Sequence, residues 1–199
     1  DNSYNITPES VGNRALRNYC VYHLAKDGDF DLAYKHYKNA NCMTDKIAGF
    51  NALITKNNRY KDDVVADFYD EFKDDVQVMD KWFSSQSISP STTVEDVKKL
   101  MTHELFSFNT PNRLRSVVGV FSQNYTNFHN NNGYKLFTDI IIKLNKSNPQ
   151  IGARLVSVYN HWRRFSPELK SLQEIQLNKI LKTKNLSNDI FEIVQAALK

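Results

Sequence analysis

The sequence lacks the run of roughly 18 apolar residues that a membrane-spanning helix requires. Its first residues, Asp1–Asn5, have neither the positive charge nor the apolar segment of a secretory signal peptide. Only two cysteines occur, Cys20 and Cys42, which are too few for a disulfide framework and form no metal or redox motif. Both lie in apolar helical patterns, which predicts buried free thiols. A reducing, cytoplasmic location is the expectation that follows.

An excess of charge of one sign is also missing. The chain has 26 basic and 22 acidic residues, a net charge of +4, and the charges are spread along the sequence rather than collected in blocks. A nucleic-acid-binding domain usually concentrates lysine and arginine on one face. The charge balance therefore favours a protein that binds neither nucleic acid nor a membrane.

The sequence contains no motif for catalysis or metal binding. None of the five histidines belongs to a His-Glu-x-x-His motif, because Ser107 stands where a second histidine would follow His103-Glu104. A surface or helix-end residue is the favoured interpretation of His103. The nucleophile elbow, the phosphate-binding loop and the dinucleotide fingerprint are missing as well. We therefore predict no catalytic residue and no metal ligand set within this chain.

What the sequence does have is apolar residues at the period of amphipathic helices, from one end to the other. In the first helix, the stripe that should face the core comprises Leu16, Tyr19, Cys20, His23 and Leu24. Gly28 should end this helix, and Ser187 should cap the last helix of the chain. The pattern predicts about ten helices of roughly 10 to 18 residues and no strands, hence an all-α fold.

Short polar links join these helices, so consecutive helices should pack as antiparallel pairs. Stacked pairs of this kind form a two-layer solenoid of the armadillo or HEAT type. Because the sequence has no strict internal repeat, an irregular α-superhelix is expected. We predict a single domain over residues 1–199, with a break in the helical pattern at Ser87–Thr93.

Two polar side chains stand out on one of the predicted helices. Gln150 and Arg154 lie four residues apart near its start, which Asn148-Pro149 marks, and away from its apolar stripe. A glutamine and an arginine projected together from a helix N-terminus form a donor-rich patch suited to a carboxylate. A solvated face, or an ion pair with an acidic residue such as Asp139 or Glu104, is the explanation that the residues alone favour for the same pattern.

The run Phe108–Gly119 contains Asn-Thr-Pro-Asn-Arg-x-Arg and places Arg113 and Arg115 in the first turns of a helix. It resembles the Asn-Pro-Asn-Arg-x-Arg helix start of the aminopeptidase N family. Further short motifs follow that family's order along nearly the whole chain: Asn13–Asn18, Asn41–Asp45, Asn127–His129, Gly133-Tyr134, Asn148–Leu155, Trp162–Phe165 and Leu186–Ile193. On these motifs the chain is similar to the C-terminal helical domain of this family, in the bacterial-like alanyl aminopeptidase branch that also occurs in protozoan parasites.

The chain departs from the family pattern in two places. Thr110 stands where the family has an asparagine, and Asn131-Asn132 replace a Gly-Ser pair ahead of Gly133. Thr110 still offers a capping oxygen, so the helix start at Pro111 is expected to be kept. Asn131-Asn132 should affect only the conformation of a polar loop, which we predict over Gln123–Gly133.

The resemblance implies a role in a zinc-dependent aminopeptidase. In this family a thermolysin-like domain holds zinc (Zn2+) through His-Glu-x-x-His and a distant glutamate, and zinc-activated water attacks the first peptide bond. This chain has none of those ligands, so it is expected to be inactive alone. It should cap the active-site chamber, with the enzyme's own catalytic domain and short peptides as partners. Arg113, Arg115, Gln150 and Arg154 are then expected to line the substrate chamber.

A helical-repeat scaffold that binds a protein or single-stranded RNA is the alternative function. Its support is the net charge of +4 and the arginine and aromatic residues grouped at Arg113–Arg115 and Trp162–Phe165. Binding to RNA should weaken steeply as the salt concentration rises, which separates this function from that of a peptidase domain.

Overall fold

The computed structural model describes residues 4–199. The expectation that Asp1–Asn5 form no signal peptide also concerns residues 1–3, which lie outside the described range. Over residues 4–199 the predicted all-α fold is confirmed. The eleven α-helices of this range are α1 Pro8–Asp27, α2 Phe30–Lys38, α3 Met43–Leu53, α4 Lys61–Phe72, α5 Val76–Ile88, α6 Val94–Leu100, α7 Pro111–Leu114, α8 Asn131–Ser147, α9 Pro149–Val156, α10 Pro167–Leu181 and α11 Asn188–Leu198. None of them has the length and apolar character needed to cross a membrane.

Local sequence signals explain where helices begin and end. At the start of α1, the side chain of Thr7 accepts a hydrogen bond from the amide of Ser10 at 3.3 Å. Gly28 ends α1 with a φ of 118°, a left-handed conformation that glycine adopts readily because it has no Cβ. At the start of α11, Ser187 accepts a hydrogen bond from the amide of Ile190 at 3.4 Å. The predicted helix boundaries at Gly28 and Ser187 are therefore confirmed.

The helices cluster into two compact units, residues 1–91 and 92–199, and the boundary falls within the predicted break at Ser87–Thr93. In the first unit, α1, α2 and α3 pack on one another, α4 packs on α3, and α5 packs on α4. The largest side chains of its core have almost no exposed surface: Tyr37, Phe50, Phe68, Met79 and Phe83. The single domain over residues 1–199 stays a prediction.

The prediction of which residues of α1 face the core is wrong. Val21 and Ala25 are the buried residues of this helix. The predicted stripe is exposed: Leu16 at 65%, Tyr19 at 64% and Leu24 at 44%, with Cys20 and His23 also exposed. Cys20 and Cys42 are free thiols as predicted, but Cys20 is not buried and Cys42 is only half-buried.

A polar contact determines which side of α1 faces the core. Asp45 of α3 is only 3% exposed and accepts hydrogen bonds from the side chains of Arg17 and Asn18, at 3.0 Å from Asn18. Asn18 also shares a hydrogen bond of 2.8 Å with His36 of α2. Because a buried carboxylate must be paired, α1 turns Asn18 rather than Leu16 toward α3. The spacing of apolar residues in the sequence does not reveal such a polar contact.

The second unit is organised around α8. This helix packs on α6, α9 and α10, and α11 packs on α9 and α10. The apolar residues that the sequence pattern assigns to α8 are all buried: Phe137, Ile140, Ile141 and Leu144. The ring of Phe128, which precedes α8, lies 5.3 to 5.7 Å from the ring centroids of Phe121, Tyr134 and Phe137. Aromatic packing therefore joins the chain before α8 to the helix itself.

The polar loop before α8 is shorter than predicted. Asn131 and Asn132 belong to the first turn of α8, and Asn130 caps the helix by accepting a hydrogen bond from the amide of Gly133 at 3.0 Å. A Cβ at Gly133 would lie 2.1 Å from the carbonyl oxygen of Phe128. Only glycine therefore permits this close approach of loop and helix.

Two helical segments of other types follow α7 and α9. A π-helical segment, Arg115–Gly119, continues α7, which has only four residues, and a 3₁₀ segment, Ser157–Arg164, continues α9. The helix start at Pro111 is kept as expected, but the side chain of Thr110 makes no capping hydrogen bond. The expected capping role of Thr110 is therefore wrong.

Candidate functional site

The first two candidate residues lie on α9, Gln150 in its first turn and Arg154 in its last turn. Asn148 caps this helix by accepting a hydrogen bond from the amide of Ile151 at 3.2 Å. Gln150 and Arg154 are both exposed, whereas Leu155 is buried. The two polar side chains therefore lie away from the core face of α9, as their spacing predicted.

The core side of α9 is attached closely to α11. A Cβ at Gly152 would lie 2.8 Å from Cδ1 of Ile190, so the two helices approach each other at this glycine. In the 3₁₀ segment after α9, the indole nitrogen of Trp162 donates to the carbonyl oxygen of Ala197 at 2.9 Å. These contacts fix α9 and leave the side that carries Arg154 open to solvent in this chain.

The guanidinium of Arg154 has no ion-pair partner among residues 4–199. Asp139, one of the two partners that the sequence suggested, forms an ion pair with Lys179, whose Nζ lies 2.6 Å from the carboxylate. Arg154 lies in the last turn of α9, and the positive end of the α9 dipole lies one turn away, at Gln150. Chemically, this arrangement suits the binding of a carboxylate.

The structure separates the second candidate pair. Arg115 is exposed, and its Nη2 donates to Oδ1 of Asn112 at 3.1 Å. Arg113 is only 5% exposed and lies inside the second unit. Apolar periodicity could not distinguish the two, because the change from α7 to the π-helical segment falls between them.

Arg113 also belongs to a small group of charges around His103. His103 is half-buried and lies three residues after the end of α6, in the turns that follow this helix. Burial lowers the pKa of His103, the charge of Glu104 raises it, and the charge of Arg113 lowers it further, so that the net shift is downward. At neutral pH this imidazole is therefore uncharged, and its Nδ1 accepts a hydrogen bond from the amide of Leu105 at 3.2 Å.

All four candidate residues lie in the second unit. The π-helical segment that starts at Arg115 packs on α6, α6 packs on α8, and α8 packs on α9. The two pairs are therefore linked through α6 and α8.

The sequence motifs gave no chemical role to the aromatic residues around His129. Nδ1 of His129 lies 2.9 Å from the hydroxyl oxygen of Tyr134, and the rings of Tyr125 and Phe165 lie 5.7 and 4.7 Å from the imidazole. Burial lowers the pKa of His129, and burial raises the pKa of Tyr134 to about 12 against a hydrogen bond with Gln173. Two neutral groups therefore hold this turn at neutral pH, which is a structural role.

The described residues do not fit a zinc site. Among residues 4–199, no group of three or more histidine, cysteine, aspartate or glutamate side chains could hold a metal ion. Zinc in proteins takes at least three such side chains at bonding distance. A zinc ion would therefore need ligands from outside this part of the chain.

The arginine and aromatic residues that suggested a scaffold for RNA have contacts inside the fold. Trp162 is only 4% exposed, and the guanidinium of Arg163 lies 4.4 Å above its ring. Arg163 also donates to the carbonyl oxygens of Ala197 and Leu198, at 2.7 Å each. These contacts stabilise the C-terminal end of α11. Because a base cannot stack on a buried indole, this group no longer supports the alternative function.

Comparison with known proteins places this chain in a family. The family model described as "Domain of unknown function (DUF3458_C) ARM repeats" matches residues 1–199. Aminopeptidase N of Haemophilus influenzae is 39% identical over the whole chain, and aminopeptidase N of Escherichia coli is 32% identical over 98% of it. The crystal structure of Legionella pneumophila aminopeptidase A in complex with aspartic acid matches the whole chain with a TM-score of 0.90 and 25% identity.

The chain belongs to this family of ARM-repeat domains, in agreement with the armadillo type of fold that the sequence predicted. The resemblance to aminopeptidase N is also confirmed. The chain spans only 23% of the length of these two relatives and 25% of the Legionella chain, and it matches their C-terminal part.

Proposed function

We propose that this chain is the C-terminal part of a zinc-dependent aminopeptidase, a hydrolase that removes N-terminal residues from peptides. The similarity to aminopeptidases over the whole chain supports this proposal. The catalytic domain, with its zinc ligands, lies in the part of the parent enzyme that this chain does not span. The chain is then inactive when isolated, and its main partner is that catalytic domain.

The role of the chain in this enzyme is to cap the active-site chamber and to shape the access of peptides. Enclosure keeps bulk water and folded proteins away from the reacting bond. Arg113, Arg115, Gln150 and Arg154 line the chamber side of the domain. Three of them are exposed in the chain, whereas Arg113 contributes its charge from below the surface.

The exposed guanidinium of Arg154, without an ion-pair partner among residues 4–199, is the observation that supports a direct role in peptide binding. A peptide held by its amino end at the catalytic site extends its carboxylate away from that site, toward donors such as Gln150 and Arg154. A hydrogen bond between charged groups contributes about 1.5 to 3 kcal/mol. This corresponds to roughly 10- to 150-fold in affinity.

The substitution Arg154→Ala in the full-length enzyme tests this role. We expect KM for short peptides to rise roughly 10- to 150-fold. Small chromogenic aminoacyl amides have no carboxylate to bind, so their kcat/KM should not change. Lys184→Ala removes another exposed cation of the second unit and is the matched control. An equal loss with both substrates, or no loss with either, would make Arg154 an ordinary solvated residue.

A further inference from the structure

One side of α1 is apolar and exposed along most of the helix. We call it the outer α1 face; it consists of Gly12, Leu16, Tyr19, Cys20 and His23, with Leu24 at its edge. These positions are three or four residues apart, so their side chains follow one line along the helix. The rings of Tyr19 and His23 lie 4.3 Å apart, which makes part of this line a continuous ridge.

The first unit does not cover this face. The unit packs against the opposite side of α1, which carries Val21 and Ala25, and Leu16 and Tyr19 remain 65% and 64% exposed. Single exposed apolar side chains are ordinary in proteins, whereas a contiguous apolar ridge marks a surface that another element covers.

Gly12 points to the kind of element that covers the outer α1 face. Glycine weakens a helix interior relative to alanine, and nothing lies within 4 Å of the position where a Cβ of Gly12 would be. The packing of the first unit therefore gives no reason for this glycine. A second helix that crosses α1 there could approach more closely than any side chain would allow.

The helix at the other end of the chain has a different outer surface. The exposed residues of α11 directly opposite its buried side are polar or small, namely Asn188, Glu192, Gln195, Ala196 and Lys199. Phe191 and Ile193, at the two edges of the buried side, are 40% and 37% exposed. Helical-repeat proteins need a polar outer face where the stack meets water, and an apolar face where the next repeat packs. By this criterion the outer α1 face is the surface of a helix on which a neighbour packs, whereas the side of α11 opposite its core is not.

We propose that the outer α1 face is the docking surface for a further amphipathic helix of the same polypeptide, from the part that precedes this region in the parent enzyme. The inference rests on the proposal that the chain belongs to a longer enzyme. Its relatives are about four times as long and match this chain at their C-terminal part, so the missing portion lies on the α1 side of the sequence. A ridge of the length of α1 fits one helix packed along it.

The thiol of Cys20 lies on this face and allows a direct test. Maleimide labelling of Cys20 is compared between the isolated 199-residue chain and the full-length polypeptide of its gene, with mass spectrometry of the peptide that contains it. We expect labelling to be at least about tenfold slower in the full-length polypeptide, which corresponds to about 1.4 kcal/mol of protection. The two samples should label at equal rates after denaturation. This readout needs no enzymatic activity, so it is independent of the proposed role of Arg154.

Leu16→Glu in both polypeptides extends the test. A charge on the ridge should raise the labelling of Cys20 in the full-length polypeptide toward the rate in the isolated chain. The isolated chain should keep its helical circular dichroism, because Leu16 is exposed there. Val76→Glu is the matched control, since Val76 of α5 is also 65% exposed and should leave the labelling unchanged. Equal rates of Cys20 labelling in the two polypeptides would overturn the proposal. So would protection that depends on the concentration of the isolated chain alone, or a gene that encodes no further helix before Asp1.

Discussion

The two units of the chain bury their polar groups in different ways. In the first unit, charged side chains connect the helices: Asp45 of α3 binds Arg17 and Asn18 of α1, and Asp67 of α4 accepts hydrogen bonds from Tyr37 and Lys38 of α2 at 2.8 and 3.2 Å. In the second unit, the described core around α8 is joined by rings and neutral groups, such as the Tyr159 hydroxyl, which donates to the carbonyl oxygen of Tyr134 at 3.2 Å.

This difference shows when an apolar pattern is sufficient to orient a helix. In α8 the apolar stripe and the buried face coincide, and its buried polar side chain Thr138 shares a hydrogen bond of 3.2 Å with the neutral hydroxyl of Tyr159. In α1 the pairing of Asp45 determines the orientation, and the apolar stripe is left outside. A buried carboxylate without its partner costs about 3 to 5 kcal/mol, which is more than the roughly 1.5 to 3 kcal/mol that burial of one leucine side chain contributes.

The chain has two tryptophans, and each reports on one unit. Trp82 is buried in the first unit and Trp162 in the second. Trp162→Phe therefore leaves a fluorescence signal from the first unit, and Trp82→Phe leaves a signal from the second. Urea unfolding followed in these two backgrounds gives the free energy of unfolding that each unit reports.

The largest effect is expected from Gly133→Ala in the second unit. The added Cβ would meet the carbonyl oxygen of Phe128 at 2.1 Å, a contact that requires the backbone to move. We expect a loss of roughly 3 kcal/mol or more, seen by Trp162 in urea unfolding. Gly12→Ala is the matched control: its Cβ meets nothing within 4 Å, so the isolated chain should gain about 0.8 to 1 kcal/mol. Similar losses for both variants would contradict the argument from close approach.

A smaller effect is expected from Asp45→Asn in the first unit. Asparagine keeps the size of the side chain but removes the charge that Arg17 pairs with, at a site only 3% exposed. Hydrogen bonds to charged groups contribute about 1.5 to 3 kcal/mol, so the free energy of unfolding seen by Trp82 should fall by about that amount.

Asp67→Asn provides the comparison for Asp45→Asn. Its side chain is 39% exposed, so its ion pairs are screened by water and the loss should stay below about 1 kcal/mol. If the two substitutions cost the same, burial of Asp45 would not be the reason that α1 turns its apolar side outward.

The all-α fold could be predicted from the sequence, because apolar residues recur at the helical period along the chain, even in α10, where Ile175 is 57% exposed and Gln173 and Gln176 are buried instead. The break at Ser87–Thr93, the glycine at the end of α1 and the cap at Ser187 are local signals that need no knowledge of the tertiary structure. The orientation of α1 could not be predicted, because it depends on a carboxylate that is 28 residues away from its arginine. The π-helical segment could not be predicted either, because one extra residue in a helical turn does not change the amino-acid composition.

The candidate site could be predicted only in part. The spacing of Gln150 and Arg154 was enough to place both on an exposed side of α9, because four residues make about one helical turn. The same reasoning treated Arg113 and Arg115 alike, although one is buried and the other exposed. Their role toward a peptide depends on a catalytic domain that this chain does not contain, so it rests on the resemblance to aminopeptidases.

The smallest expected effect concerns pH and compares a histidine from each unit. Burial lowers the pKa of both His36 and His129 below the ordinary value of 6.5. The unfolded chain then binds a proton more readily than the folded chain, so each histidine's contribution to stability is complete above about pH 6.5 and is lost as the pH falls below it. Because both imidazoles are only half-buried, each effect should be less than about 1 kcal/mol.

His129→Gln should therefore reduce the loss of stability between pH 7 and about pH 5 that Trp162 reports, and leave the loss reported by Trp82 unchanged. Glutamine can still accept a hydrogen bond from the hydroxyl of Tyr134, but it does not titrate. His36→Gln should show the reverse pattern, because His36 binds Asn18 within the first unit. If either variant changed the pH dependence reported by both tryptophans equally, the units would unfold together, and the contrast between them would concern their packing but not their separate stabilities.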